Sequence, residues 1–573
     1  MPSTAAGSHG PEPRDAHAVS VVACLGFITT ACLMIAFRSK SPPESVDGKG
    51  KTLLDESASR CSGHGDRESS GPSSLRICLI PSLNFAYGFT VATQGLLVVP
   101  LEAERLWPEN SSNGLGILIV LAGLAQLIGP EAGHFSDTYR SPWGRRRPLI
   151  IIHVALVVTL NLCLWVLSRL MMRHMYAFTF LMQQVAWNVI QSTQAGFIPD
   201  LVPKQDHAFA GGASAAHVLL GSVMAFLSIQ VVSAWDFHLL YATLACLSLG
   251  CCMIACTAAN EDSSLERHGA KDSEPWSFGR ISSHYTFDWR KHHGFFLLLL
   301  TKAVYCASMT VKGFLLFFCR DTFKLPDPGQ TQILVCKLSL FAEVSAAITA
   351  VCAMLFLGTR GEMTDDSYSA VSSDSQKSAR NDPHSRSLWA LILGSLWMGI
   401  YWYGPLLVGL KVSQGYAGNR PAAEPTWFPV MAAGTATWGL GQGVYLAGDQ
   451  ALSFILLPDR NEASRYLGFS SLCAFGGATV GGAVCGTLLS VVGAGSRSGY
   501  KYPGYAAIFM IASFMSFTIS VLGGWLWRSD NLQSKPSNFT LISNHAEQPT
   551  AQPSAEQLEQ VRVRRRGLLS EGA

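Results

Sequence analysis

The 573-residue sequence predicts an all-α membrane protein, with twelve spanning helices in two halves of six. Three observations predict it. Only 14% of the residues are charged, where a soluble globular chain carries roughly 25%. The charges gather in clusters and leave windows near twenty residues with none, the length of helix that crosses the roughly 30 Å hydrocarbon core of a bilayer. A short polar pattern recurs 259 positions apart, at corresponding places in the two halves. Backbone in lipid must satisfy its own hydrogen bonds, so the windows are helices. A single soluble domain, a disordered chain and a disulfide-rich secreted scaffold are excluded. A net charge of +3, from 42 Lys and Arg against 39 Asp and Glu, leaves no nucleic-acid footprint. The fifteen cysteines are scattered without a CxxC pair and read as small buried hydrophobes. No zinc spacing, P-loop, GxSxG or HExxH offers an enzyme a foothold.

Residues 1–76 form an N-terminal region with an uncharged window at Ala18–Phe37. That window is a thirteenth span acting as a signal anchor, or a cleaved signal; the uncleaved anchor is the favoured expectation. The first half, 77–258, has spans near 77–100, 114–130, 148–168, 175–198, 208–233 and 239–258. A central loop, 259–293, leads to the second half, 294–527, with spans near 294–319, 330–358, 388–410, 427–457, 466–494 and 503–527. The loop 359–387 is rich in Ser and Asp and reads as disordered, as does the tail 528–573. The basic run at its end, Arg562, Arg564, Arg565 and Arg566, suits water or lipid headgroups. Alternate loops carry 29 Lys and Arg on one side and 9 on the other. The richer side is expected to be cytoplasmic, and the C-terminus with it. The sequon at Asn110 then lies in the first outer loop, open to glycosylation, while the one at Asn538 lies inside.

The repeat reads Gln191 to Pro199-Asp200 after span four and Gln450 to Pro458-Asp459 after span ten. A Gly-rich span follows each, with Gly211 and Gly212 in one and Gly476, Gly477, Gly481, Gly482 and Gly486 in the other. Such small residues let helix backbones approach closely. A duplicated six-span unit places a solute site near midplane between the halves.

Between spans two and three stand Gly133, Ser136, Asp137, Ser141, Gly144, Arg145, Arg146, Arg147 and Pro148. An aspartate beside a basic cluster can tie helix ends together in one state and release them in another. An ordinary basic loop is the plainer reading. The spacing resembles the signature loop of the major facilitator superfamily. Its GRRRP ending resembles, more narrowly, the sucrose transporters and the glycoside–pentoside–hexuronide:cation symporter group. Gln94 ahead of Pro100, and the stretch Gly441 to Arg460 with Leu467-Gly468, resemble members of that group as well. The resemblance implies the major facilitator fold, sugar transport and proton coupling. It also implies a gating role for Gly133, Asp137, Gly144, Arg145, Arg146 and Arg147.

The chain departs from those transporters in span four. Gln184 stands where the family has Asp, and Ala195 where it has Arg. Asn188, Gln191 and Asp200 keep their places, and Gln184, Asn188, Gln191 and Ala195 share one helical face. Losing both charges avoids the cost of one buried unpaired charge. What remains is a face of Gln184, Asn188 and Gln191 with Trp187 beside it, suited to a neutral hydroxylated ligand or to interhelical hydrogen bonding.

Five charges lie inside the predicted spans: Lys302, Lys312, Lys337, Glu343 and Asp449. Each costs about 2.5–3.5 kcal/mol to insert. Lys312 and Lys337 lie near the outer ends, within snorkelling distance of the headgroups. Asp449 and Glu343 are the candidate proton carriers, with Lys302 as a partner; a permanent ion pair is the alternative. His217 is a weaker relay candidate, read rather as a hydrogen-bonded packing residue.

The expectation is a carrier of a neutral solute, most of all a sugar, with Gln94, Gln184, Trp187, Asn188, Gln191, Gln442 and Tyr445 lining the site. The proton is its coupling ion, with no other cofactor and no obligate protein partner. Another metabolite, uncoupled passage, and a transporter-shaped receptor or scaffold are the alternatives. Plasma membrane and endomembranes fit equally.

Overall fold

The computed structural model describes residues 72–108, 111–232, 238–261, 282–323, 328–358, 383–415, 424–493 and 500–533. The window Ala18–Phe37, both sequon asparagines, Asn110 and Asn538, most of the loop 359–387 and the basic run Arg562 to Arg566 lie outside them.

Twelve helical rods fill the described residues. After a short helix, Ser74–Leu79, α1 runs Leu83–Thr93 and continues through a π turn, Gln94–Val98, into Val99–Leu106. α2 runs Ser111–Leu124, a 3-10 turn Ala125–Ile128, then Gly129–Thr138. α3 is Arg147–Arg169, α4 Arg173–Ala195, α5 His207–Val232 and α6 Leu239–Ala258. α7 is His293–Met309 with a 3-10 turn at Thr310–Phe314 and a continuation at Leu315–Phe323. α8 is Pro328–Gly358, α9 Pro383–Tyr401 followed by Tyr403–Gly415, α10 Glu424–Ile455, α11 Ala463–Val492 and α12 Tyr502–Gln533. Ten of the twelve are long and apolar enough to cross a membrane. The other two, α4 and α10, are long enough but carry the polar faces read in the sequence.

The breaks have local causes. A proline cannot donate to the helical ladder. The π turn of α1 ends just before Pro100, and the 3-10 turn of α2 just before Pro130. Large side chains such as Ile119, Val120, Ile152, Phe356, Phe514 and Trp525 stay exposed on the rods, as lipid-facing positions require.

Helices outrun the hydropathy windows at polar ends. α1 extends to Leu106 and α2 to Thr138, beyond the expected ends at 100 and 130. Glu102, Glu131 and Asp137 are therefore helical residues that lie beyond the predicted spans. Hydropathy stops at a charge, whereas a helix continues wherever the charge finds a partner.

Small residues bring helices into backbone contact. A Cβ at Gly88 of α1 would strike the Val218 carbonyl of α5; one at Gly477 of α11 would strike that of Ala303 in α7. These are equivalent pairs under the duplication. The halves meet through α5, packed on α8 and α10, and through α11, packed on α2 and α4. Along the α2–α11 seam, contact runs from Gly123 against Phe475 to Gly133 against Ser464. Farther from the loop after α2, Gly116, Gly482 and Gly486 have nothing against them. The seam is thus shut on the side of the α2–α3 loop (the loop side) and parted toward the far side.

The compact unit described so far ends at Leu526. From Trp527 the chain counts as a separate unit, helical as far as Gln533.

Candidate functional site

On the loop side, Arg146 is fully buried and joins four side chains. Its Nη2 donates to Asp137 Oδ1 at 2.9 Å, its Nε to Asp200 Oδ2 at 2.7 Å and its Nη1 to Ser136 Oγ at 3.2 Å. Nη1 also donates to the Ser464 hydroxyl of α11, across the halves. Arg145 adds a bond to Asp200 Oδ2 at 2.5 Å and one to the Asp137 carbonyl at 3.2 Å. Asp137 in turn accepts the backbone N–H groups of Ser464 and Arg465 at 3.3 and 3.0 Å. Those are free donors of the first turn of α11, where the helix dipole favours an anion. Burial works against ionisation of Asp200, but the guanidiniums of Arg146 and Arg145 outweigh it and hold its carboxyl below the ordinary aspartate range.

Three further groups complete this cluster: Gly144 and Arg147, both named from the loop motif, and Glu261, which sequence reasoning missed. Glu261, just past α6, accepts the backbone N–H of Arg146 at 3.0 Å and of Arg147 at 3.1 Å, and so caps α3. Gly144 turns the loop at a φ of 101°, with its missing Cβ facing Glu261. Arg147 donates to the Ala259 carbonyl at 2.6 Å. On the same side, His284 meets Glu131 of α2 at 2.7 Å, and Arg465 holds the carbonyls of Ser283, His284 and Thr286. The tether between the halves is thereby pinned to both α2 and α11. A lone Glu in a polar loop gives no sequence signal; only the positive φ at a glycine beside a helix start hints at such a cap.

In the first half, amides link three helices. Gln184 Nε2 of α4 donates to Gln94 Oε1 of α1 at 2.9 Å and to Gln183 Oε1 at 3.2 Å; Gln183 Nε2 donates to Asn161 Oδ1 of α3 at 2.9 Å. The π turn starting at Gln94 sits at this junction. Asn188 spends its Nδ2 on the Gln184 carbonyl of its own helix. Gln191 Nε2 and Gln194 Oε1 have no protein partner. Trp187 is 1% exposed and belongs to the first half's core, with its ring centroid 5.9 Å from Tyr87.

In the second half, one face of α10 carries Trp438, Gln442, Tyr445, Asp449 and Ser453, spaced as one stripe of a helix. α7 faces it with Lys302, Tyr305 and Lys312. Lys302 Nζ lies 3.0 Å from Asp449 Oδ2 and 3.3 Å from Ser470 Oγ. Asp449 is 1% exposed, and its Oδ1 has no donor. Tyr305 stacks on Tyr445 with centroids 4.4 Å apart. Above them Lys312 Nζ lies 3.0 Å from Glu343 Oε1, 3.2 Å from Gln442 Oε1 and 4.4 Å from the Trp438 ring centre. The expected partner of a deep carboxylate, Lys302, thus pairs with Asp449. Glu343 pairs instead with Lys312, which turns inward rather than toward headgroups. Lys337 is exposed. His217 donates to or accepts from no other side chain here; its Nδ1 lies 2.8 Å from the Ala213 carbonyl of its own helix.

No family model matches the sequence, and no curated protein does. Solved structures do. The chain is similar to a bacterial homologue of the iron transporter ferroportin in its outward-facing state, at 13% identity and a TM-score of 0.52, covering 79% of this chain and 99% of that one. It is similar to the human organic anion transporter MFSD10 (TETRAN), at 14% identity and a TM-score of 0.53, covering 79% and 100%. It is also similar to the E. coli fucose:proton symporter FucP, at 12% identity and a TM-score of 0.50, covering 79% and 98%. At such identities the likeness is one of fold, and it extends over nearly the whole of each transporter.

Proposed function

We propose that this chain, which has the major facilitator fold, is a secondary active transporter that moves a neutral hydroxylated solute, most of all a sugar, by proton-coupled alternating access. The observation that carries the reading is the Lys302–Asp449 pair. It is an ion pair buried among membrane-spanning helices, in a molecule whose α2–α11 seam is closed on the loop side and has unopposed glycines toward the far side. A charge in that position is costly and marks a pathway or a relay. The amides of α1 and α4, with Gln442 on α10, offer donors and acceptors without net charge, as hydroxyls require. Charge asymmetry between the loops supports a cytoplasmic loop side and C-terminus, so that the parted side faces outward. Solute and proton together then shift the population toward the packing open to the loop side.

The test is uptake of labelled hexoses and disaccharides into proteoliposomes, with and without an inward proton gradient. Accumulation driven by the gradient, and lost in Asp449→Asn or Glu343→Gln, is the expected result. Flux indifferent to the gradient would make the protein a facilitator and both carboxylates structural. Binding without flux would make it a receptor.

A further inference from the structure

The facing surfaces of α7 and α10 form three layers. The lowest, toward the loop side, holds Lys302, Asp449, Ser453 and Ser470. The middle one is the Tyr305–Tyr445 stack. The upper one holds Lys312, Glu343, Gln442 and Trp438. The two ion pairs are chemically alike and differ in access. Lys312 leaves 37% of its side chain exposed, whereas Lys302 leaves 12% and Asp449 1%. Both carboxylates are therefore paired, but only the Lys312 pair borders open space: Lys312 and Trp438 line a cavity among second-half helices with Tyr401, Trp402 and Phe509.

We propose that Lys312 is a solute-binding, specificity-determining residue, and that the tyrosine stack separates its pair from a proton-carrying Lys302–Asp449 pair. This inference rests on the transport reading given above. An ammonium has three donors and no acceptor. In the structure it spends them on Glu343 and Gln442, with the Trp438 face beside it. Two neighbouring hydroxyls of a solute fit this arrangement. One accepts from Lys312 while the other donates to Glu343 or Gln442, and a C–H face lies on Trp438. A molecule with a single hydroxyl satisfies only part of it. The class selected is a neutral solute with vicinal hydroxyls.

Asp449 has a different setting. Its free oxygen, Oδ1, is buried without a donor, so a proton placed there takes up a vacant acceptor and breaks no existing bond. Lys302 faces it from α7 along with Tyr305 and Cys306, Cys473 from α11 and Tyr445 from its own helix. Lys302 is the one fixed cation among them. Ser453 and Ser470 stand ready to hold the Lys302 ammonium when the carboxylate is neutral. Beside Glu343, the Lys312 ammonium has Gln442 Oε1 at 3.2 Å and the Trp438 ring, the groups that a bound solute engages.

Two measurements on the full-length protein in lipid test this. The first is infrared difference spectroscopy between acid and neutral pH without solute. A protonated-carboxyl band absent in Asp449→Asn and present in Glu343→Gln is expected; a band absent only in Glu343→Gln overturns the assignment. The second is solute exchange kinetics. Lys312→Met should raise KM about tenfold or more, the loss of one charge-assisted hydrogen bond, with Lys312→Arg recovering part of it. Asp449→Asn should lower the gradient-driven rate without moving KM. An unchanged KM in Lys312→Met, with a raised KM in Asp449→Asn, would overturn the division. Wild-type protein that exchanges no vicinal diol overturns the solute class and the transport reading with it, and the infrared result still decides which carboxylate titrates.

Discussion

Arg146 shows how much one side chain can hold. It is buried and charged, and two carboxylates neutralise it, one of them shared with the N-terminus of a helix from the other half. Removing one partner of a buried pair costs about 3–5 kcal/mol. Asp137→Asn should therefore favour the loop-side-open packing, read as faster cleavage by a protease added on that side. Gly133→Ala should act the same way by a different route, because its Cβ meets the Ser464 carbonyl. The clamp should also have a definite pH range. The Asp200 carboxyl is held below its ordinary value, so its contribution is complete above about pH 4 and fades as pH falls through the lower value. The share of protease protection on the loop side that depends on Asp200, read as the difference between wild type and Asp200→Asn, should be constant near neutrality and fade only in strong acid. The sequence named Asp137, Arg145 and Arg146 because the loop motif has a spacing of its own. It could not name Ser464 or Glu261, which reach the cluster from hundreds of residues or a whole half-bundle away.

At the level of elements, breaks in helices matter as much as their lengths. The α1 π turn places Gln94 against Gln184, and Pro100 is the residue that forbids a regular ladder there. Pro100→Ala should let the helix run straight, move Gln94 off its partner and raise the solute KM with little change in expression. At the start of α3 the Glu261 carboxylate takes two backbone donors. Glu261→Ala should lower thermal stability in detergent by about 1–2 kcal/mol, and Gly144→Ala by a similar amount, since a positive φ strains any side chain. Windows poor in charge mark where the rods lie, α4 and α10 included, although these two fall short on hydropathy alone. The helices α1 and α2 run on past their windows, where Glu102, Glu131 and Asp137 meet Tyr241, His284 and Arg146, and such pairing is not visible along one segment. The same reading left Lys312 near the headgroups, since the inward turn depends on Glu343 from α8.

For the whole molecule, the duplication read from Gln191 and Gln450 corresponds to two bundles with equivalent glycine contacts, α1 on α5 and α7 on α11. The tether through His284 pins the same side that Arg146 shuts. Arg465→Ala removes the tether's grip without touching the Arg146 cluster's side chains, and it should open the loop side by a smaller factor than Asp137→Asn in the same protease assay.

Lys302 touches Ser470, and Arg146 touches Ser464. These serines stand six residues apart on α11, about 9 Å along a single helix. The helix has no break between them, and Gly477 and Gly481 farther along lie directly on the α7 backbone. A stiff rod gripped at two points cannot move at one and rest at the other. On the transport reading proposed above, release of the Lys302–Asp449 pair and release of the loop-side latch are a single stroke, and a substitution that softens α11 between the serines would let each end move on its own.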